Sequence, residues 1–164
     1  MGNRNDTPIK DAPHFDDAIA LLIYEHELVK AKFGAFAKLG DKAFASKKKL
    51  VDEICFALTN HTTLEEELFY PTVRREIASM DALVDEAIVE HGAAKELITQ
   101  IQAMSAEDSL FDAKVKVLSE QIDHHVAEEE QQMFPEVKKS SIDLAVLRDK
   151  MLTRKQHLSA QVPL

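Results

Sequence analysis

Two segments of this chain carry a histidine followed four residues later by a glutamate: His61-x-x-x-Glu65 and His125-x-x-x-Glu129. On a helix, residues at that spacing lie on one face, so an imidazole and a carboxylate aim at a single point. Two more histidines, His26 and His91, each stand on an apolar stripe. A polar group buried there needs a partner. Neutral imidazole suits iron, zinc and copper, and a carboxylate can span two cations while offsetting their charge. Four imidazoles and two carboxylates therefore fit a binuclear site, with two nitrogens per ion and Glu65 and Glu129 bridging both. Three to four protein ligands per ion leave room for an oxo or hydroxo bridge and an exogenous ligand. A structural zinc site takes four tetrahedral ligands, often thiolates. Two non-haem iron ions thus rank first, ahead of manganese and zinc.

The six residues belong to an internal repeat. Glu25-His26 with Lys30 matches Glu90-His91 with Lys95 at a shift of 65 residues. The segment from His61 through Glu65-Glu66 to Pro71 matches that from His125 through Glu129-Glu130 to Pro135 at a shift of 64. Each half reads as a helical hairpin, with a lone histidine on its first helix and His-x-x-x-Glu on its second. Two such hairpins related by a pseudo-twofold axis bring four histidines and two carboxylates to one point.

Helices must do the positioning. Phe15, Ile19, Leu22, His26, Val29, Phe33 and Phe36 recur at spacings of three and four, which predicts one buried stripe ending near Gly40-Asp41. A second helix is expected from about Ser46, with Leu50, Ile54, Leu58, His61, Glu65 and Leu68 inward and a bend or stop at Pro71. The third is expected from Ser79–Asp81 to near Ser105, with Val84, Ile88, His91, Ala94 and Ile98 inward. Asp108 or Ser109 is the expected cap of the fourth, whose stripe is Val115, Leu118, Ile122, His125, Glu129 and Met133. Ser140 or Ser141 is the expected cap of a short extra helix through Leu147 and Met151. The expected fold is all-α: an up-down-up-down four-helix bundle over residues 13–139, a C-terminal helix over 140–158 and a flexible arm over 1–12.

The bulk composition agrees. Only four glycines and five prolines occur in 164 residues, and charged residues make up 30%. The formal charge of −9 disfavours nucleic acid and anionic membranes as partners. Cys55, the only cysteine, falls in an apolar run and reads as core. Residues 1–10 lack the apolar centre of a secretion signal, and no segment approaches a membrane span, so the cytoplasm is the default location. Glu25 and Glu90 sit about 100° off the seam, where helix pairing or contact with a ligand is expected. Glu66, Glu67, Glu130 and Gln131 read as solvated or supporting residues, and His14, His124 and His157 as surface. Phe69, Tyr70, Met133 and Phe134 read as core closure that could restrict access to the metals. Gly92 could allow close helix approach or room for a ligand.

With these residues in view, the chain resembles the hemerythrin-like (HHE cation-binding) domain family. The resemblance rests on Asp17-Ala18-Ile19 to Glu25-His26, the runs HTTLEEELFYP at 61–71 and EHGAAKELI at 90–98, and HHVAEEEQQMFP at 124–135. It spans roughly residues 14–138. It implies a four-helix bundle with a di-iron site whose ligands fall on the same six residues, and an open position for O2 or another small ligand. One departure bears on function. Oxygen-carrying members place two histidines a turn apart on the third helix, whereas this chain has Ala87 and Lys95 four residues either side of His91. The carriers' fourth-helix carboxylate is an aspartate at plus five, whereas Glu129 is at plus four. Water, Tyr24 or a neighbouring glutamate could replace the missing ligand.

The functional expectation is a non-haem di-iron protein that binds or senses O2, peroxide, nitric oxide or iron itself. A di-iron enzyme that decomposes peroxide or reduces nitric oxide is the alternative, although no extra acid, base or electron-transfer motif argues for it. A metal-modulated interaction module, with its protein partner unidentified, is the third reading. Ferritin-like bundles use Glu-x-x-His pairs, and no histidine here has a glutamate three residues before it.

Overall fold

The computed structural model describes residues 13–160; the arm expected over 1–12 lies outside the described residues. The chain is helical: α1 (Ala18–Ala37), α2 (Phe44–Leu64), α3 (Tyr70–Glu76), α4 (Asp81–Gln102), α5 (Phe111–Glu128), α6 (Phe134–Lys139) and α7 (Leu144–Ala160). A π-helical turn, Glu65–Phe69, joins α2 to α3, and another, Glu129–Met133, joins α5 to α6. Both pairs therefore run as long rods, and α1, the α2–α3 rod, α4 and the α5–α6 rod make the four-helix bundle. α1 packs against α2, α4 against α5, and the two hairpins meet through α2–α4 and α1–α5. α7 lies across α1 and α2. No described helix is long and apolar enough to cross a membrane.

The core has two parts with a polar belt between them. One cluster gathers Ile19, Leu22, Phe69, Tyr70, Phe134, Leu147 and Met151 at the α7 end. The other gathers Val29, Ile54, Leu58, Ile98, Phe111, Leu118 and Ile122. Each fully buried Leu or Ile contributes about 1.5–3 kcal/mol, so both clusters hold the helices in register around the belt. Cys55 is buried in the second cluster, as its apolar run implied.

Several local expectations are corrected. α1 begins only at Ala18, where the Asp17 carboxylate accepts from the Ala20 N–H at 2.8 Å. Neither Asp108 nor Ser109 caps α5; the Asp108 side chain instead accepts from the Ser105 N–H within the preceding turn. α7 is capped by Asp143, which accepts from the Val146 N–H, rather than by a serine. Ile88 is 41% exposed, and Ala87 turns inward in its place. Gly92 faces open space, so close helix approach does not explain it.

Pro71 and Pro135 do not stop their helices. Each lies in the first turn of the segment that follows a π turn. Proline has no N–H, and its ring crowds the carbonyl four residues earlier. Widening the preceding turn relieves that crowding, which accounts for a π turn at the same place in both halves.

Candidate metal centre

All six residues singled out by spacing meet in the belt. The Nε2 atoms of His26 and His61 are 3.1 Å apart, as are those of His91 and His125. The two carboxylates lie between the pairs. Glu65 Oε1 is 3.1 Å from His61 Nε2, and its Oε2 is 3.1 Å from His91 Nε2. Glu129 Oε2 is 3.2 Å from His26 Nε2 and 3.6 Å from His125 Nε2. His26, His61, Glu65 and Glu129 form one group able to hold a cation, and Glu65, His91 and His125 a second. Every one of these side chains is buried.

A carboxylate holds each imidazole from behind. His61 Nδ1 is 2.7 Å from Glu25, and His125 Nδ1 is 2.7 Å from Glu90. His26 Nδ1 is 2.9 Å from Glu130, and His91 Nδ1 is 2.9 Å from Glu66. Two of these contacts stay within a hairpin and two cross between hairpins, so the outer ring stitches the halves together. A carboxylate behind Nδ1 favours the proton there and leaves the Nε2 lone pair facing inward, as metal-binding imidazoles require.

Such an interior has too many acceptors. Glu65 Oε1 and Glu129 Oε2 are buried and receive no hydrogen bond. Two imidazole nitrogens 3.1 Å apart cannot both present lone pairs to each other. The point of convergence must take up protons or cations. Without metal it takes protons: burial works against charge on His61, but Glu65 and Glu25 outweigh it and hold the imidazolium well above its usual range. Burial likewise opposes the Glu65 carboxylate, and His61 and His91 override it and hold it well below the usual range. Imidazole and carboxylate donors without thiolate suit a pair of divalent or trivalent first-row ions. The residues present fit a dimetal site.

Sequence reasoning missed the inner role of Tyr70. Its hydroxyl donates to Glu129 Oε1 at 2.7 Å and lies 3.3 Å from His91 Nε2 and 3.4 Å from Glu65 Oε2. Burial, then Glu65 and Glu129, push this phenol well above its ordinary value, so it stays protonated. Five residues beyond Glu65, a regular α-helix would carry it roughly 140° away from that face. The π turn, closed by the Tyr70 N–H to the Glu65 carbonyl, swings it back over Glu65. The repeated His-to-Pro spacing of ten residues was the available signal. Tyr24, one of the three candidates to replace the missing ligand, is 38% exposed and packs on Phe15. Of the other histidines, His14, His124 and His157 are exposed. Glu67 pairs with Arg154 at the surface.

Two spaces reach the belt. A cavity of about 20 Å³ is bordered by all four histidines together with Val29 and Leu58. A surface cleft of about 300 Å³ runs between α1 and α5 to the edge of His26, past Lys30, Phe33 and Glu130.

A four-helix bundle with two histidine pairs bridged by two buried glutamates defines a class of metal-binding helical proteins. The chain matches the hemerythrin HHE cation binding domain over residues 17–137, and it belongs to that family. Its fold is similar to that of a hemerythrin HHE cation binding domain-containing protein, the Rv2633c homolog from Mycobacterium kansasii. The TM-score is 0.74 with 21% sequence identity, over 88% of each chain. At that identity the likeness speaks to the fold. No curated protein matches the chain.

Proposed function

We propose that this chain is a non-haem di-iron protein that binds or senses a small ligand such as O2, peroxide or nitric oxide. His26, His61, Glu65, His91, His125 and Glu129 would hold the two ions, within a metal-binding domain of residues 13–139. The carrying observation is the convergence of four buried imidazole nitrogens and two buried carboxylates on one point, with the Tyr70 hydroxyl as the donor beside them. When bound, a di-iron pair supplies one-electron redox chemistry and an exchangeable position for a small ligand.

The chain's own residues prepare that position. Glu25, Glu66, Glu90 and Glu130 hold the four Nδ1 protons and fix the rings. Tyr70 keeps a proton at its phenol oxygen, 2.7 Å from Glu129. Val29 and Leu58 keep the cavity beside the histidines apolar. Its volume of about 20 Å³ is room for one water-sized molecule.

One observation favours turnover as a second reading. Tyr70 places a neutral O–H inside the centre, where reduction of peroxide or nitric oxide would consume protons. Metal analysis joined to optical spectra of the reduced protein before and after air, peroxide and nitric oxide tests both readings. Two irons per chain, lost in His61→Ala and Glu65→Gln, are expected. Metal content unaffected by either substitution would sink the assignment. Sustained consumption of peroxide or nitric oxide would move the reading to an enzyme.

A further inference from the structure

Outside the buried belt, His124 stands between two carboxylates. Its Nε2 is 3.4 Å from Glu90 Oε1 and 3.4 Å from Glu128 Oε1. One donor atom from each of the three residues lies within 4.8 Å of the others. His124 and Glu128 are four apart on α5 and share a face, while Glu90 reaches across from α4. We propose that Glu90, His124 and Glu128 form a second site, at the surface, for a first-row divalent metal ion.

The internal repeat gives an independent reason. Glu25 and Glu90 are equivalent, and each spends one oxygen on a histidine of the buried centre. The other oxygen of Glu25 is met by a cation, the Lys155 ammonium of α7. The other oxygen of Glu90 is met by His124, and among the described residues neither Glu90 nor Glu128 pairs with a lysine or arginine. In the first half, the positions equivalent to His124 and Glu128 are Asn60 and Leu64. The nitrogen–oxygen donor pair thus occurs only in the half where no built-in cation covers the outer carboxylate.

Chemistry narrows the ligand. One imidazole and two carboxylates favour borderline ions such as zinc, cobalt or ferrous iron over magnesium or calcium, which prefer oxygen alone. His124 is two-thirds exposed, and a cleft of about 250 Å³ along Val89, Ala93 and Gln121 lets water complete the coordination. The site shares Glu90 with the buried belt, one oxygen facing His125 and the other His124.

The test is zinc titration of the full chain with its buried centre loaded, at micromolar free zinc, counting every metal per chain after equilibrium dialysis. The wild type is expected to take up one additional zinc. His124→Ala, at an exposed side chain, and Glu128→Gln, an isosteric change at a partly buried one, are expected to bind it weaker by about tenfold or more while retaining their buried metal. The chain carrying His61→Ala should still bind the surface zinc, which separates this site from the buried one. No additional zinc on the wild type, or equal uptake by wild type and His124→Ala, overturns the proposal; His124 then serves as an ordinary bridge between two carboxylates.

Discussion

Tyr70 and Phe134 hold equivalent places in the two halves of the repeat and meet the centre differently. The Tyr70 hydroxyl lies 2.7 Å from Glu129 Oε1, among the buried donors. The Phe134 ring stacks nearly parallel on His26, with centroids 5.9 Å apart. The repeat that matches every histidine and glutamate of the belt by residue type is broken at this pair. The His91–His125 side carries a phenol, and the His26–His61 side carries the face of a hydrocarbon ring. The cleft that reaches the belt opens on the His26 side.

Tyr70→Phe removes that difference. In the metal-free protein it leaves Glu129 without its donor, and a loss of about 1–3 kcal/mol is expected. Urea unfolding of metal-free wild type and variant measures it. In the loaded protein both metals should remain while the optical spectrum and reduction potential move. A variant unchanged in stability, spectrum and potential would remove Tyr70 from the centre.

Substitutions behind the histidines should act in grades. Glu25→Gln weakens the hold on His61 Nδ1, and a 10- to 100-fold loss of metal affinity, roughly, is expected. Lys155→Met acts one step further out, through Glu25, and should cost less. Lys155→Arg should restore the affinity. Competition against a chelator of known strength ranks the variants, and equal affinities for Glu25→Gln and wild type would contradict the supporting role of the outer carboxylates.

Metal uptake should release protons. His61 is held protonated in the metal-free chain by Glu65 and Glu25 despite its burial, and a metal ion must displace that proton. Affinity is therefore expected to rise with pH until His61 would lose its proton unaided. Calorimetric titrations in buffers of different ionisation enthalpy count the protons, and a binding heat independent of buffer would refute the displacement.

His61 and Glu65 are two of the groups that shape the pH dependence of the metal-free fold. The raised value of His61 means its contribution is fully present below the ordinary imidazole value and lost as pH rises through its folded value. The lowered value of Glu65 means its contribution is present above the ordinary carboxylate value and lost as pH falls through its folded value. Metal-free stability should peak between those limits and decline at alkaline pH. The urea midpoint across pH checks this, and His61→Ala should flatten the alkaline limb.

Cys55 offers a probe of the second cluster, the one away from α7. Burial pushes its thiol up to about 11, and its side chain is sealed in the second cluster. Iodoacetamide at neutral pH is expected to label the folded chain far more slowly than the unfolded one. Equal labelling rates would mean that this end of the bundle opens readily.

The helical stripes, the duplicated layout and the six inner residues were legible in the sequence, because register along a helix is local. A turn of about 100° per residue places His61 over Glu65, and His125 over Glu129, whatever else the chain does. Regular helical register does not decide where Ile88 and Tyr70 sit. Ile88 was expected inward on its apolar character, but the rotation of α4 in the bundle admits the smaller Ala87 instead. Tyr70 enters the centre through a π turn, where the regular angle no longer holds. Tertiary structure also decided which carboxylate backs which histidine. Glu130 crosses to His26 and Glu66 to His91, pairings between residues 104 and 25 positions apart that only the docking of two hairpins brings together. Sequence determined what each helix presents to the seam; packing decided which residues meet across it, since that depends on the rotation and docking of several helices at once.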